Sequence, residues 1–232
     1  MMSRRAFREA LVGAVGLVAF PTSAAPIDRR AAQVDRLFAD YLGDVVLVSR
    51  HGKRLLQRAY GMADTHTQGK CDINTAFRMA SISKIFTSTI NLMLVKNGAL
   101  QLDSRLTTHL PGLPKFYNTI TIEHLLTHTS GLPDDEGDIP ETLGFFITAQ
   151  NVQEIVGGKP ALSFTPGSKF AYSNSGYCLL SLVAESILKK SFSVILREMI
   201  FAPLGMMQTM LFQPGRSVIN NRACGTLRKG VW

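Results

Sequence analysis

No apolar run in this chain is long enough to cross a bilayer. A spanning helix needs about 20 such residues, and the strongest candidate, Leu11 to Phe20, runs for ten. No stable membrane span is expected once the N-terminal segment is cleaved; an anchor formed by an uncleaved N-terminus is the weaker alternative. Gly-x-Ser-x-Gly is absent too, which removes the strand-to-helix elbow on which many Ser-His-Asp hydrolases carry their nucleophile. His124 and His128 stand four apart, but the glutamate and third ligand of a zinc protease are missing, so both read as turn and packing residues. Asp134, Asp135, Glu136 and Asp138 lack the spacing of a calcium loop and read as a solvated stretch. The three cysteines, Cys71, Cys178 and Cys224, are odd in number and show no metal-type spacing. They are expected as unpaired thiols, with Cys178 buried in an apolar run; a disulfide between two of them, in an exported protein, is the alternative.

A basic groove for nucleic acid is also missing. The formal charge is +8, but Arg4, Arg5 and Arg8 lie at one end and Arg216, Arg222, Arg228 and Lys229 at the other. Residues 25–215 are nearly neutral, so no charge is clustered on the folded body to hold phosphates. No internal repeat or low-complexity segment is present.

The basic start, the apolar stretch to Phe20 and the small residues of Pro21 to Ala25 read as a signal peptide, with cleavage expected after Ala24. Ser3-Arg4-Arg5-Ala6-Phe7 resembles a twin-arginine signal; an ordinary Sec signal is the alternative. Three segments follow: 1–24 as signal, 25–215 as one catalytic domain, and 216–232 as a basic irregular tail. A periplasmic or secreted location is expected.

The pattern predicts a helix over Asp28 to Tyr41, a hairpin of strands Asp44 to Ser49 and Arg54 to Tyr60, and a loop over Ala63 to Phe77. A helix over Ile82 to Asn97 is closed by Gly98 at the position where a left-handed conformation suits glycine. Its apolar residues go most of the way round, so Ser81 is expected against the core. Thr121 caps a short helix through Leu126. Further helices follow over Gly176 to Lys189 and Ser193 to Ile200, with helices and loops alone from about 100 to 212. The class is α/β, with an underfilled sheet and a large helical region.

Two clusters carry chemistry. Ser81-Ile82-Ser83-Lys84 puts a hydroxyl and an amine three apart on one helical face, where they can touch. The lysine can take the serine proton, or polarise a phenol that does. An apolar setting would lower its pKa. Tyr172-Ser173-Asn174 supplies that phenol and a carboxamide able to hold a substrate amide. Ser186-Ile187-Leu188-Lys189 has the same spacing but lies mid-helix and reads as structural.

Phe77-Arg78-Met79-Ala80-Ser81-Ile82-Ser83-Lys84 resembles the nucleophile box of the serine β-lactamase and penicillin-binding superfamily, in its branch of class C β-lactamases, D-alanyl carboxypeptidases and esterases. Four further segments occur in matching order: Gly98 to Asp103, Ile122 to Leu132, Pro166 to Tyr177, and Pro203-Leu204-Gly205-Met206. The resemblance covers about residues 36–212. It implies a β-lactamase/transpeptidase-like fold and an acyl-enzyme on Ser81. Lys84 is then its proton partner, Tyr172 the base or relay, and Asn174 a substrate-amide contact. The Ser81 backbone N–H serves as an oxyanion donor, and no metal or cofactor is implied. A small molecule or cell-wall peptide is the expected substrate: a β-lactam, a D-Ala peptide or an ester.

The departure lies at the far end. The family's later strands, one with a Lys-Thr-Gly or His-x-Gly box, have no counterpart after residue 212. The chain is therefore expected to be C-terminally truncated, with the apolar face of Val45 to Val48 uncovered. A catalytically impaired remnant or a non-catalytic cell-wall peptide binder is the alternative reading.

Overall fold

The computed structural model describes residues 27–40, 43–133, 147–213 and 217–224. The signal-peptide segment and most of the acidic loop lie outside them. The described residues fall into two compact units, one running to Phe77 and resuming at Ile219, the other Arg78–Val218.

In the first unit, helix α1 (Ile27–Phe38) precedes strands β1 (Gly43–Arg50), β2 (Lys53–Asp64) and β3 (Gly69–Lys70). They form an antiparallel sheet in the order β1-β2-β3. β1 and β2 pair from Gly43 opposite Gly61 to Arg50 opposite Lys53, with one irregularity at Val48/Ser49. The hairpin is the expected one, but β2 runs four residues further and meets β3 inside the segment read as a loop. Tyr60 ties the helix to the sheet: its hydroxyl donates to Asp35 at 2.7 Å, and its ring stacks on Phe38 with centroids 5.4 Å apart. Burial and the Asp35 carboxylate push its pKa up to about 12. Leu47 is 60% exposed and Val45, Val46 and Val48 are half-buried. The incomplete cover expected for this strand is therefore seen among the described residues.

The segment read as an irregular tail also contributes here. Ala76 N–H donates to the Asn221 carbonyl at 2.8 Å, Ala223 N–H returns to Ala76 at 2.9 Å, and Cys224 N–H reaches Ala63 at 2.7 Å. The Asn221 side chain donates to Asp72 at 2.8 Å and accepts from Thr75. Asparagine also tolerates the left-handed backbone at this position, where φ is 50°. Asn221→Ala is expected to lower stability by about 1 kcal/mol, seen as a lower urea midpoint. An unchanged midpoint would show that 221–224 rests on the unit without stabilising it.

The second unit is helical: α2 (Ser83–Lys96), α3 (Leu106–His109), α4 (Ile122–Leu126), α5 (Ala149–Gly157), α6 (Asn174–Leu188), α7 (Phe192–Leu196) and α8 (Ala202–Leu204). A single tight turn, Ala80–Ile82, leads into α2. Gly98 closes α2 with φ of 75°. Its N–H donates to Val95 and that of Ala99 to Leu94, both at 3.0 Å, which satisfies two terminal carbonyls. α4 opens with Thr121 accepting from His124 N–H at 3.2 Å, while Thr121 N–H donates to His124 Nδ1. The α5 helix, capped by Thr148, has no counterpart among the predicted elements.

α6 is the axis of this unit. Leu179, Leu180, Val183 and Ala184 are fully buried and join Ile90 and Leu94 of α2, Ile122 and Leu125 of α4, and Val152 and Val156 of α5 in one core. Asn91 stitches α2 to α6 through its amide, which donates to Thr87 at 2.9 Å and Leu180 at 3.2 Å.

α2 differs from expectation. Only Thr87, Ile90, Asn91 and Leu94 are buried, whereas Ile82, Ile85 and Leu92 are exposed. One face packs on α6 and the other is open, so Ser81 is exposed instead of lying against the core. Cys71, Cys178 and Cys224 form no disulfide, and Cys178 is only half-buried. Among the described residues, no helix is long and apolar enough to cross a membrane.

Candidate active site

The turn Ala80–Ile82 lifts Ser81 out of the α2 axis, and Ala80 takes a φ of 43° to make it. A left-handed alanine costs about 1–2 kcal/mol, and with no residue of the turn buried hydrogen bonds hold the backbone there, Ile82 N–H donating to the Met79 carbonyl at 3.0 Å. Ser83 Oγ, donating to the Ala80 carbonyl, fixes the same turn. Lys84 lies one turn on. Its ammonium Nζ donates to Ser81 Oγ at 3.4 Å and to Asn174 Oδ1 at 2.6 Å.

Tyr172 arrives from a segment 91 residues away. His128–Gly131 and residues 163–171 run alongside each other through three backbone hydrogen bonds: Ser163 to Gly131, Gly167 to Thr129 and Ala171 to His128, each at 2.8 Å. Gly131 has φ of 71°, and a Cβ there would lie 2.1 Å from the Phe164 carbonyl oxygen, so only glycine allows this approach. Tyr172 follows directly, and its hydroxyl is 2.8 Å from Ser81 Oγ. Ser173 then caps α6 by accepting from Gly176 N–H at 3.0 Å, which sets Asn174 at the first helical position, facing Lys84.

All four residues expected from the sequence thus come together: Ser81, Lys84, Tyr172 and Asn174. The decoy Ser186 bonds back to the Val183 carbonyl within its own helix. Three further side chains, His128, Phe170 and Tyr177, surround them. His128 stacks on Tyr172 with centroids 4.6 Å apart and on Tyr177 at 5.0 Å. Phe170 meets it edge-on at 5.8 Å, and His128 Nδ1 accepts from Ser173 N–H at 3.1 Å. Burial, then the Lys84 charge, lowers the His128 pKa, so the imidazole is neutral at pH 7. Tyr177 donates to the Leu126 carbonyl at 3.1 Å, and burial raises its pKa. The Lys84 ammonium lies 4.7 Å from the Tyr172 centroid and 5.7 Å from that of Tyr177, within the range where a ring face attracts a cation.

An exposed hydroxyl touched by a phenol and an amine, with no histidine bonded to it, can transfer a proton and open a carbonyl by attack. The Beta-lactamase family model matches residues 31–230. The chain belongs to that family. As a member, it carries the β-lactamase/transpeptidase-like fold expected from the sequence and is serine-hydrolase-like. It is 30% identical over 177 residues to a penicillin-binding protein of Bacillus subtilis (strain 168), a match covering 72% of this chain and 37% of that protein. The chain therefore matches little more than a third of that relative's length. Among solved structures, D-amino acid amidase from Ochrobactrum anthropi SV3, complexed with L-phenylalanine amide, is 28% identical with a TM-score of 0.69, over 88% of this chain and 57% of that one. A penicillin-binding protein from Bacillus halodurans is 28% identical with a TM-score of 0.68, over 78% and 55% respectively.

Proposed function

We propose that this family member is an exported serine hydrolase that opens an amide or ester through an acyl-enzyme on Ser81. The observation that carries the reading is the 2.8 Å contact between Ser81 Oγ and the Tyr172 hydroxyl oxygen, beside a lysine held by Asn174 at 2.6 Å. Ser81 Oγ attacks the carbonyl carbon while its proton passes to Tyr172 as phenolate, with the Lys84 cation alongside. The carbonyl oxygen takes up negative charge next to the Ser81 N–H. Collapse expels the amine or alcohol, which leaves with the proton. Water then adds to the ester, Ser81 regains its proton, and the acid is released. Asn174 turns between Lys84 and the substrate amide. A β-lactam, a D-Ala peptide and a simple ester all satisfy this chemistry.

Incubating the chain with a fluorescent penicillin and a fluorophosphonate probe tests it. Wild type is expected to label with at least one of them, and Ser81→Ala with neither. A Ser81→Ala variant that still labels removes the assignment; Ser186→Ala is expected to label as wild type does. Export through the twin-arginine or Sec route predicts a periplasmic or secreted product beginning at residue 25, which N-terminal sequencing checks.

A further inference from the structure

We infer that His128 is a positioning residue for the reaction: its flat ring, packed against both Tyr172 and Tyr177, helps set the pose of the phenol against Ser81. The inference rests on the proton-transfer reading of Tyr172 given above.

Four observations meet at this residue. Tyr172 is 53% exposed, so burial alone does not fix its ring. Beside the hydroxyl's bond to Ser81 and the Lys84 cation, the ring meets the His128 face, 4.6 Å away and inclined by 28°. His128 itself packs against Tyr177, with centroids 5.0 Å apart and rings inclined by 30°, and the Tyr177 hydroxyl is tied to the end of α4. Such ring pairs attract beyond what their buried area gives, which favours one ring orientation of an exposed tyrosine. Third, Nδ1 accepts the N–H of Ser173, the residue between Tyr172 and Asn174. One imidazole therefore holds both the ring and the backbone of the cluster that faces Lys84. Fourth, His128 adopts φ of 59°, a conformation tolerated by histidine, asparagine and aspartate more than by most residues. A bulkier aromatic ring would strain it.

The arrangement requires an unprotonated Nδ1. The groups facing the ring are Lys84 from α2, Tyr172 from the preceding segment and Tyr177 from α6. Neither Lys84 nor Tyr177 is an anion that would stabilise an imidazolium, and burial and Lys84 both oppose one. Protonation at Nδ1 ends its bond to Ser173 and places a second cation near Lys84. The site should therefore lose its geometry in acid, below the ordinary histidine range of about 6.5.

His128→Asn isolates the ring. Asparagine accepts the left-handed backbone and keeps an oxygen able to receive the Ser173 N–H, but it has no face to stack. The full chain is labelled with 3-fluorotyrosine, and the Tyr172 ¹⁹F signal is assigned with Tyr172→Phe. In His128→Asn that signal is expected to move and broaden. Ser81 acylation by the fluorophosphonate probe should slow by roughly ten- to a hundredfold, and the acid limb of its pH profile should disappear. A Tyr172 signal and an acylation profile both identical to wild type would overturn the inference. The ¹⁹F signal needs no turnover, so it decides the question even where wild type fails to label and the acyl-enzyme reading falls. Should His128→Asn not fold, wild type decides it: the Tyr172 signal must follow the His128 imidazole ¹⁵N titration, and a Tyr172 signal indifferent to that titration refutes the inference.

Discussion

Tyr172→Phe is expected to slow acylation of Ser81 by roughly 10²- to 10⁴-fold, the range typical of removing a positioned acid–base group, while leaving the melting temperature nearly unchanged. The two effects separate because the side chain has two parts. Its ring stacks on His128, and phenylalanine keeps that face. Its oxygen, 2.8 Å from Ser81 Oγ, belongs to an exposed residue, so deleting it strands no buried polar partner. Ser81 is left with Lys84 at 3.4 Å, a longer and weaker contact. Stopped-flow labelling across pH, paired with a thermal melt, checks both halves. An unchanged labelling rate would transfer the proton-accepting role from Tyr172 to Lys84.

Gly131→Ala is expected to be the most damaging small substitution in the helical unit. The added methyl meets a backbone oxygen, Phe164 O at 2.1 Å, so no rotamer change relieves it. The positive φ of 71° adds its own cost for an L residue. Together these amount to roughly 3 kcal/mol, about 6–12 °C for a protein of this size. The shift also strikes the hydrogen bond from Ser163 to Gly131 and, through the strip it belongs to, the approach of Tyr172. Differential scanning calorimetry gives the answer. An alanine variant melting with wild type would mean that the two segments lie further apart than this backbone places them.

The catalytic candidates were legible because each carries a local mark. Ser81 opens a helix after a loop, Lys84 follows at one turn, and Tyr172-Ser173-Asn174 precedes a capped helix. Gly98, Thr121 and the first hairpin were legible for the same reason, since caps and tight turns are short-range physics. His128 was not, because the sequence offers tests only for a metal ligand or a triad base, and it fails both. What it does depends on two rings, 44 and 49 positions later in the chain, that meet it through the pairing of distant segments. Ser173 was passed over in favour of its neighbours, although it supplies the helix cap. The exposure of Ser81 was misjudged for a physical reason: α2 is apolar nearly all round, but its partners in this unit cover one side. Composition reports what a surface could bury, and only tertiary packing decides what covers it. The β3 pairing and the bridge from 221–224 to Ala76 likewise leave no periodic trace, being two to four residues long.

The three backbone hydrogen bonds joining 128–131 to 163–171 make these stretches a single working part, despite more than 30 intervening positions. Loop exchange or shuffling with a homologue should therefore carry both across together, because a histidine from one parent and a tyrosine from another would meet on a frame fitted to neither. The stretch between them is not a spare loop, because it carries α5 with Val152 and Val156 in the core.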